Sequence, residues 1–260
     1  MTESCLFSIE PPLAFFTFNR PEARNALTWE MYRGLAEACD AVDAATDVRV
    51  LVVRGAGGKA FAAGTDISQF TAFRSAEDGL AYERRLDQAI DRLERVTRPT
   101  IAQVEGVATG GGCAIALACD LRVCSATARF GIPVARTLGN CLSIANCARL
   151  ADLVGPARFK DLMFTARLMD VQEAAALGLV TRVADAERVD ETTRDLAATI
   201  AGHAPLTMAA TKEMLRRIQE WRRPAPDAAD DLIGRCYASA DFKEGVEAFL
   251  AKRPPRWTGA

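Results

Sequence analysis

Short apolar strands alternate with amphipathic helices through the first half of this sequence, and the alternation restricts the chain to a mixed α/β fold. Almost wholly apolar runs are typical of buried strands, and they occupy residues 13–18, 48–53 and 100–104. After Thr28, which can cap a helix, apolar residues recur at helical spacing as far as Val42. Ser75, with Asp78 three residues on, resembles a capping box at the start of a helix. Beyond residue 138 the pattern is mostly helical, with a hinge expected at the Pro-rich segment 224–226. We therefore predict an α/β core followed by a helical C-terminal part.

The balance of charge gives no sign of a polyanionic partner. The 260 residues include 32 basic and 34 acidic side chains, for a formal net charge of -2. Domains that bind nucleic acid or anionic membranes usually carry a basic patch. The longest uncharged stretch, residues 106–119, is shorter than the roughly 20 apolar residues that a membrane-spanning helix needs. We expect neither nucleic acid nor a membrane as a partner.

The cysteines argue for a reducing compartment and against a metal site. There are eight, none in a C-x-x-C pair, and only one histidine, so the clustered ligands of a zinc site are missing. Several lie in apolar runs, where a thiol behaves as a small hydrophobe. Residues 1–9 carry Glu3 and no basic segment ahead of an apolar core, so we expect no signal peptide. We predict a cytoplasmic location and no metal ion.

Two glycine-containing loops, each after a strand and before a helix, are candidate binding elements. They comprise residues 61–67 and 105–113. Such loops can direct backbone N–H groups at an anion, assisted by the dipole of the following helix. No lysine follows the glycines and the pattern G-x-G-x-x-G is missing, which disfavours a nucleotide phosphate as the ligand. Ordinary tight turns are the alternative interpretation.

Short segments in order along nearly the whole chain resemble signatures of the enoyl-CoA hydratase/isomerase (crotonase) superfamily. They are NRP at 19–21, NAL at 25–27, FAAGTDI at 61–67, GGGC at 110–113, FGIP at 130–133, AAALGLV at 174–180 and FKEGVEAFLAKR at 242–253. Any single segment is modestly specific, whereas the ordered set is strongly so.

The resemblance implies a spiral of ββα units with a helical C-terminal region that builds trimers, often paired into hexamers. Residues 1–195 would form the core that holds an acyl-CoA site, and residues 196–260 the helical region. The implied substrates are acyl-CoA thioesters, with coenzyme A as part of the substrate and no further cofactor. A homotrimer or a dimer of trimers is the expected assembly.

The resemblance also implies an oxyanion hole made of two backbone N–H groups, which by motif position belong to Thr65 and Gly111. Two preorganised donors stabilise an enolate or a tetrahedral oxyanion as its charge develops, and one donor can contribute about 3 kcal/mol. By the same resemblance, substrate or coenzyme A would contact Arg24, Ala26, Ala63, Gly64, Thr65, Asp66, Ile67, Gly110, Gly111, Ala114, Val134 and Lys252. For Arg24 and Lys252, a solvated surface position is the alternative.

The sequence departs from the family at the two glutamates with which its hydratases add water. By motif position these are Ala114 and Val134, and neither side chain can carry a proton. No Asp or Glu occurs between Asp120 and Asp152 to replace them. We therefore expect an isomerase, decarboxylase, hydrolase or atypical lyase rather than a standard hydratase. A non-catalytic acyl-CoA-binding relative is the main alternative, and a structural trimer partner with a degenerate pocket is a third.

Other polar residues could supply the chemistry that the glutamates would have supplied. Arg136, Asn140 and Ser143 either line the acyl pocket, with Arg136 holding a substrate carboxylate, or satisfy a turn and cap the next helix. A carboxylate from elsewhere could also enter, namely Asp66, Glu77, Asp78 or Glu83. For Glu83 we expect a solvated helix face instead. Cys113 stands at a helix start, but we expect it to pack in the core rather than react.

Overall fold

The computed structural model describes residues 3–260, so the first two residues of the N-terminal segment considered above lie outside the described part. Its first element is a hairpin in which β1 (Cys5–Glu10) pairs antiparallel with β2 (Leu13–Phe18). Every residue of β2 is buried, as its apolar composition requires. Helix α1 (Trp29–Ala44) follows, and the Thr28 side chain caps it by accepting a hydrogen bond from the Met31 amide.

Three consecutive ββα units then build the spiral. The first consists of β3 (Val50–Gly55), β4 (Ala60–Ala62) and α2 (Ala76–Glu94). The second consists of β5 (Thr100–Val104), β6 (Val107–Thr109) and α3 (Gly111–Ala118). The third consists of β7 (Leu121–Ser125), β8 (Arg129–Gly131) and the helices α4 (Val134–Thr137) and α5 (Ile144–Thr165).

The remaining elements are mostly helices. They are β9 (Met169–Asp170), α6 (Val171–Ala176), β10 (Arg182–Ala184), α7 (Val189–Ala201), α8 (Pro205–Arg222), α9 (Asp230–Ala238) and α10 (Ala240–Leu250). Short 3-10 turns span Pro21–Ala23, Ile67–Ala72 and Ala186–Arg188. Helix α5 contains a kink, because Gly155 leaves the helical conformation just before Pro156.

Each ββα unit places its first strand in one sheet and its second strand in another. The larger sheet has the order β1-β2-β3-β5-β7-β10, and the smaller has the order β4-β6-β8-β9. From β2 to β10 the strands of the larger sheet are all parallel, as are β4, β6 and β8 of the smaller one. The carboxyl ends of β4 and β6 therefore lie side by side. The first glycine-containing loop continues from β4, whereas the second, residues 105–113, includes β6 itself and leads into α3.

Alternate residues of the central strands enter two apolar clusters on opposite faces of the larger sheet. On β3, Leu51 and Val53 belong to the cluster that includes α1, α2 and α3. Val50 and Val52 belong to the cluster that includes Val189 and other residues of α7. The first cluster lies on the side of the larger sheet that faces the smaller sheet, and the two loops pack against it.

The predicted α/β core and helical C-terminal part are confirmed. Helix α9 was not predicted, since the Pro-rich segment before it suggested only a hinge. The boundary expected between residues 195 and 196 falls within α7. Within residues 3–260, no helix combines the length and the apolar character needed to cross a membrane.

Candidate functional site

The loops that follow β4 and β6 touch each other through glycine. A Cβ built on Gly110 would lie 3.4 Å from the Cα of Gly64. Gly110 also has a φ of 52°, a left-handed conformation that residues with a Cβ adopt only at a cost. Glycine at position 110 therefore allows the two backbones to approach closely.

The N–H group of Thr65 takes no part in the hydrogen bonds that hold its loop. An isolated parallel bridge joins Leu27 to Thr65. In this bridge the Leu27 amide donates to the Gly64 carbonyl at 2.8 Å, and the Leu27 carbonyl accepts from the Asp66 amide at 2.9 Å. A parallel bridge of this kind uses the groups on either side of Thr65, so the N–H of Thr65 itself points away from Leu27.

The Gly111 amide is the second candidate donor. Gly111 is the first residue of α3, and the N–H groups of a first helical turn have no partner within their own helix. The positive end of the helix dipole lies at the same place. A Cβ built on Gly111 would lie 3.5 Å from Thr65 Oγ1, so the two candidate donor residues are close neighbours.

Thr65 and Gly111 line one cavity of about 560 Å³. The predicted contact residues that share this lining are Arg24, Ala26, Ala63, Gly64, Asp66, Ile67, Gly110 and Val134. Two predicted contact residues do not. Ala114 is buried in α3, and Lys252 is exposed just beyond the end of α10.

Three buried hydroxyl groups form a chain beside the two amides. Thr65 Oγ1 lies 2.8 Å from the hydroxyl of Tyr32 and 2.8 Å from that of Tyr82. Burial raises the pKa of both phenols above its usual value, so both remain protonated. The three hydroxyl protons serve two contacts, which leaves one proton of the chain for a further hydrogen bond. Thr65 and Tyr82 line the cavity. The sequence motifs did not predict either tyrosine.

A buried carboxyl group faces the same cavity. Glu83 on α2 is 2% exposed and is part of the lining, so the expected solvated position is wrong for this residue. Burial raises the pKa of Glu83 to about 8, while the Tyr237 hydrogen bond lowers it and the charge of Asp87 raises it. The spacing contained a signal: Glu83 precedes the buried Leu86, Ile90 and Leu93 at helical intervals.

The polar residues that follow Val134 divide between the cavity and the surface. Asn140 lines the cavity, and its Nδ2 donates to the Tyr237 hydroxyl at 3.0 Å. The Ser143 side chain caps α5, as the turn-and-cap interpretation predicted, by accepting from the Asn146 amide at 3.2 Å. Arg136 is exposed on α4 and is not part of the lining. Its position therefore gives no support to a contact with a substrate carboxylate.

The other carboxylates and the candidate thiol have structural explanations. Partial burial alone would raise the pKa of Asp66, but hydrogen bonds from Ser68 and Arg20 outweigh it and hold that pKa below its usual range. Glu77 and Asp78 lie in the first turn of α2, where Asp78 forms the predicted capping box with Ser75. Cys113 is buried, and burial raises the pKa of its thiol to about 12, which agrees with the predicted packing role.

Comparison with known proteins identifies the family of the chain. The sequence model described as Enoyl-CoA hydratase/isomerase matches residues 9–260. The chain belongs to the enoyl-CoA hydratase/isomerase family. Among its relatives is the short-chain-enoyl-CoA hydratase of Clostridium acetobutylicum, at 33% identity over 245 residues, covering 94% of this chain and 93% of that protein. A putative enoyl-CoA hydratase of Thermus thermophilus is 36% identical over 253 residues, covering 94% and 97%.

Solved structures of the family share the fold over the whole chain. An enoyl-CoA hydratase/carnithine racemase from Magnetospirillum magneticum has a TM-score of 0.81 at 34% identity and covers 100% of this chain and 97% of its own. Methylmalonyl-CoA decarboxylase in complex with 2-nitronate-propionyl-CoA has a TM-score of 0.91 at 28% identity and covers 100% of both chains. The crotonase fold is thereby established, and proteins that share it include hydratases and a decarboxylase. The chain is thus a member of a family of acyl-CoA enzymes.

Proposed function

We propose that this family member processes acyl-CoA thioesters by stabilising a thioester enolate, in a reaction other than standard hydration. The observation that supports this function is the meeting of the two loops. Thr65, Gly111 and Val134 line a single cavity, and by motif position Val134 stands where hydratases of the family carry a glutamate. The two amides can stabilise negative charge on the thioester oxygen. The side chains of Ala114 and Val134 have no group that could activate water.

The thioester carbonyl would accept hydrogen bonds from the Thr65 and Gly111 amides. Because both amides belong to backbone segments held by neighbouring loops, they need little rearrangement as the oxygen becomes negative. Preorganised donors of this kind stabilise the transition state by about 3 kcal/mol each. The remaining hydroxyl proton of the Tyr32–Thr65–Tyr82 chain would add a further polar contact near the same oxygen.

Coenzyme A would lie along the loop at residues 24–27 and the segment at 63–67. An ion pair between Arg20 and Asp66 (3.0 Å) and a hydrogen bond from Arg20 to the Ala26 carbonyl (2.7 Å) tie the two segments together. Arg24 is exposed beside them and lines the cavity, a position suited to a phosphate group. Lys252 does not line the cavity. We still propose that it contacts coenzyme A, either from a neighbouring subunit or after a rearrangement.

The reaction class follows from what enolate formation requires. Isomerisation, decarboxylation and some hydrolytic or lyase reactions use a stabilised oxyanion with at most one acid or base. Hydration needs a base to activate water and an acid to protonate carbon, each worth about 10²–10⁴-fold in rate. The similarity to methylmalonyl-CoA decarboxylase, at a TM-score of 0.91, supports keeping decarboxylation among the candidates.

A turnover screen tests this function. The purified protein would be incubated with crotonyl-, 3-hexenoyl-, methylmalonyl- and acetoacetyl-CoA, and products would be identified by mass spectrometry. We expect conversion of at least one of the last three and little hydration of crotonyl-CoA. Efficient hydration of crotonyl-CoA would contradict the proposal.

A non-catalytic acyl-CoA-binding protein is the second candidate, and the apolar residues at positions 114 and 134 are what favours it. Calorimetric titration with the same thioesters separates the two. Tight binding without conversion of any thioester would favour the binding protein over the enzyme.

We further propose that the chain assembles as a trimer or a dimer of trimers in a reducing compartment. Helix α8 has no buried residue, and its apolar side chains Leu206, Met214, Leu215, Ile218 and Trp221 are all exposed. Exposed apolar patches of this kind usually mark protein contacts. Cys113, Cys119 and Cys124 are free thiols, which suits a cytoplasmic location. Light scattering that gives the mass of a monomer would refute the assembly.

A further inference from the structure

Two glutamates of α2, the buried Glu83 and the partly buried Glu94, differ in their partners. Glu94 forms ion pairs with Arg149 at 2.7 Å and with Arg223 at 3.2 Å. Glu83 instead accepts from the Tyr237 hydroxyl at 2.6 Å and from the Ser143 amide at 3.1 Å. Within the described range, 3–260, no lysine or arginine forms an ion pair with Glu83. A buried carboxyl group without a cation costs stability, so packing alone does not explain this residue.

Glu83 lines the same cavity as Thr65 and Gly111. Its neighbour Tyr82 lines the same cavity and bonds to Thr65 Oγ1 at 2.8 Å. Helix α2 thus contributes two consecutive residues, Tyr82 and Glu83, to the lining of the cavity in which a thioester carbonyl would lie. The carboxyl group is held from outside the helix, since Tyr237 belongs to α9 and Ser143 precedes α5.

On the basis of the proposed function, we infer that Glu83 is the catalytic group that transfers a proton to and from carbon atoms of the acyl chain. The ionised carboxylate takes a proton from the α-carbon, which is adjacent to the thioester carbonyl. The electron pair of the broken C–H bond enters the enolate, whose oxygen is stabilised by the Thr65 and Gly111 amides. The protonated carboxyl group then returns the proton to the same carbon or to another carbon of the enolate. The result is proton exchange or a double-bond shift, and neither needs an oxidant, a reductant or a second substrate.

The pKa of Glu83 suits both halves of this cycle. Burial raises that pKa to about 8, so the ionised and protonated forms are both present near neutral pH. Proton transfer is most efficient when the pKa of the group lies near the working pH. A single such group supports reversible proton transfer at carbon, while hydration would need a second.

Other titratable groups surround Glu83 and bear on any pH profile. Those that interact with it are Tyr32, Tyr82, Asp87, Cys141, Cys147 and Tyr237. Burial raises the pKa of Asp87, of the Cys147 thiol (to about 11) and of the three tyrosines. Hydrogen bonding between Cys141 and Cys236 raises the pKa of the first thiol and lowers that of the second to about 7. The Cys236→Ser variant removes this competing titration.

Exchange of α-protons measures the inferred step directly. Butyryl-, octanoyl- and dodecanoyl-CoA would be incubated with the protein in D2O, and deuterium uptake would be followed by mass spectrometry. We expect the unaltered protein to exchange α-protons and Glu83→Gln to slow the exchange by about 10²-fold or more. The dissociation constant for the thioester should change little, because glutamine preserves the shape of the side chain. Glu94→Gln is the matched control, since Glu94 is a partly buried glutamate of the same helix that does not line the cavity.

The outcomes separate this inference from the function on which it rests. Exchange by Glu83→Gln at the rate of the unaltered protein would overturn the role of Glu83 and leave the proposed function standing. Conversion of a thioester without any α-proton exchange would do the same. A protein that neither exchanges protons nor converts any thioester of the earlier screen would overturn both. Loss of exchange in Glu83→Gln, with Glu94→Gln unaffected, supports the inference.

A pH profile provides a second test that does not depend on the folding of Glu83→Gln. In the Cys236→Ser protein the exchange rate should rise with pH through about pH 8, as Glu83 ionises. Tyr237 is a positioning residue whose hydrogen bond lowers the pKa of Glu83, so Tyr237→Phe should move this rise to higher pH. A midpoint that stays in place in Tyr237→Phe, or a rate that does not vary through this range, would overturn the role of Glu83.

Discussion

The hydroxyl group of Tyr32 occupies the space in which any side chain at position 111 would have to lie, because a Cβ built on Gly111 falls 2.3 Å from the Tyr32 oxygen. Glycine is therefore required at position 111 for room. The same hydroxyl bonds to Thr65 Oγ1, so one atom fixes both the width of the gap between the loops and the orientation of the Thr65 side chain. The arrangement also makes it possible to test the Gly111 amide separately from the space around it.

The contribution of the Gly111 amide can be isolated in a Tyr32→Phe background, where the obstructing hydroxyl is gone. In that background, Gly111→Ala adds a Cβ and keeps the N–H, whereas Gly111→Pro adds a similar Cβ and removes the N–H. Proline is tolerated at the first position of a helix, which Gly111 occupies in α3. We expect the proline protein to have a kcat/KM about 10²–10³-fold below that of the alanine protein, measured on the thioester converted fastest.

Circular dichroism and thermal unfolding should show the same fold for both proteins of this pair. Equal kcat/KM values for the alanine and proline proteins would mean that the Gly111 amide does not stabilise the transition state. The Tyr32→Phe protein alone serves as the reference, since it retains both amides and loses only one hydroxyl.

Asn25 holds the loop that we propose for coenzyme A. It is fully buried with a φ of 55°, its Nδ2 donates to the Ala56 and Ala60 carbonyls, and its Oδ1 accepts from the Arg20 amide. Asn25→Ala would leave these three backbone groups without their partner, at about 1–3 kcal/mol for each buried group. We expect the free energy of unfolding in urea to fall by about 3 kcal/mol or more, with a higher KM for the thioester.

Asn19→Ala is the control for this loss. The Asn19 side chain makes one exposed hydrogen bond, to the Glu3 carbonyl at 2.8 Å, so its removal should cost less than about 1 kcal/mol. If Asn25→Ala were no more destabilising than Asn19→Ala, the hydrogen bonds of Asn25 would not be what holds the loop.

Local patterns predicted those parts of the site that depend on neighbours in the sequence. The cap at Thr28, the capping box of Ser75 and Asp78, and the two glycine-containing loops all lie within a few residues of the chain. The meeting of these loops in one cavity followed from the family resemblance and requires the parallel pairing of β4 with β6. That pairing leaves no local trace in the sequence.

Contacts between distant residues could not be predicted in the same way. The hydrogen bond from Tyr237 to Glu83 joins residues 154 apart, and that from Asn140 to Tyr237 joins residues 97 apart. Only the tertiary fold brings α9 against α2, and α9 itself was missed. The sequence shows Glu83 as a charged residue at helical spacing from apolar residues of α2. Its hydrogen-bond partners and the cavity that it lines depend on the packing of α9 against α2.

The buried state of Glu83 should make the stability of the whole protein depend on pH. Burial raises its pKa to about 8 in the fold, against 4.5 for an exposed group, so between these values the folded state holds a proton that the unfolded chain has released. The stability that this proton confers is fully present below about pH 4.5 and is lost as the pH rises through about 8. For one proton, the slope reaches at most about 1.4 kcal/mol per pH unit.

Glu83→Gln cannot titrate, so its free energy of unfolding should decline less than that of the unaltered protein as the pH is raised across this range. Urea unfolding at a series of pH values measures the difference, and groups that do not interact with Glu83 contribute equally to both proteins. Glu94→Gln is the control: hydrogen bonds and charges from Arg149 and Arg223 outweigh burial and hold the pKa of Glu94 below its usual range. Its stabilising effect is present above the unfolded pKa and lost only as the pH falls, so this variant should differ from the unaltered protein by a constant amount above about pH 5. If the curve for Glu83→Gln ran parallel to that of the unaltered protein instead, Glu83 would be ionised in the fold throughout, and the proton that we assign to it would not be there.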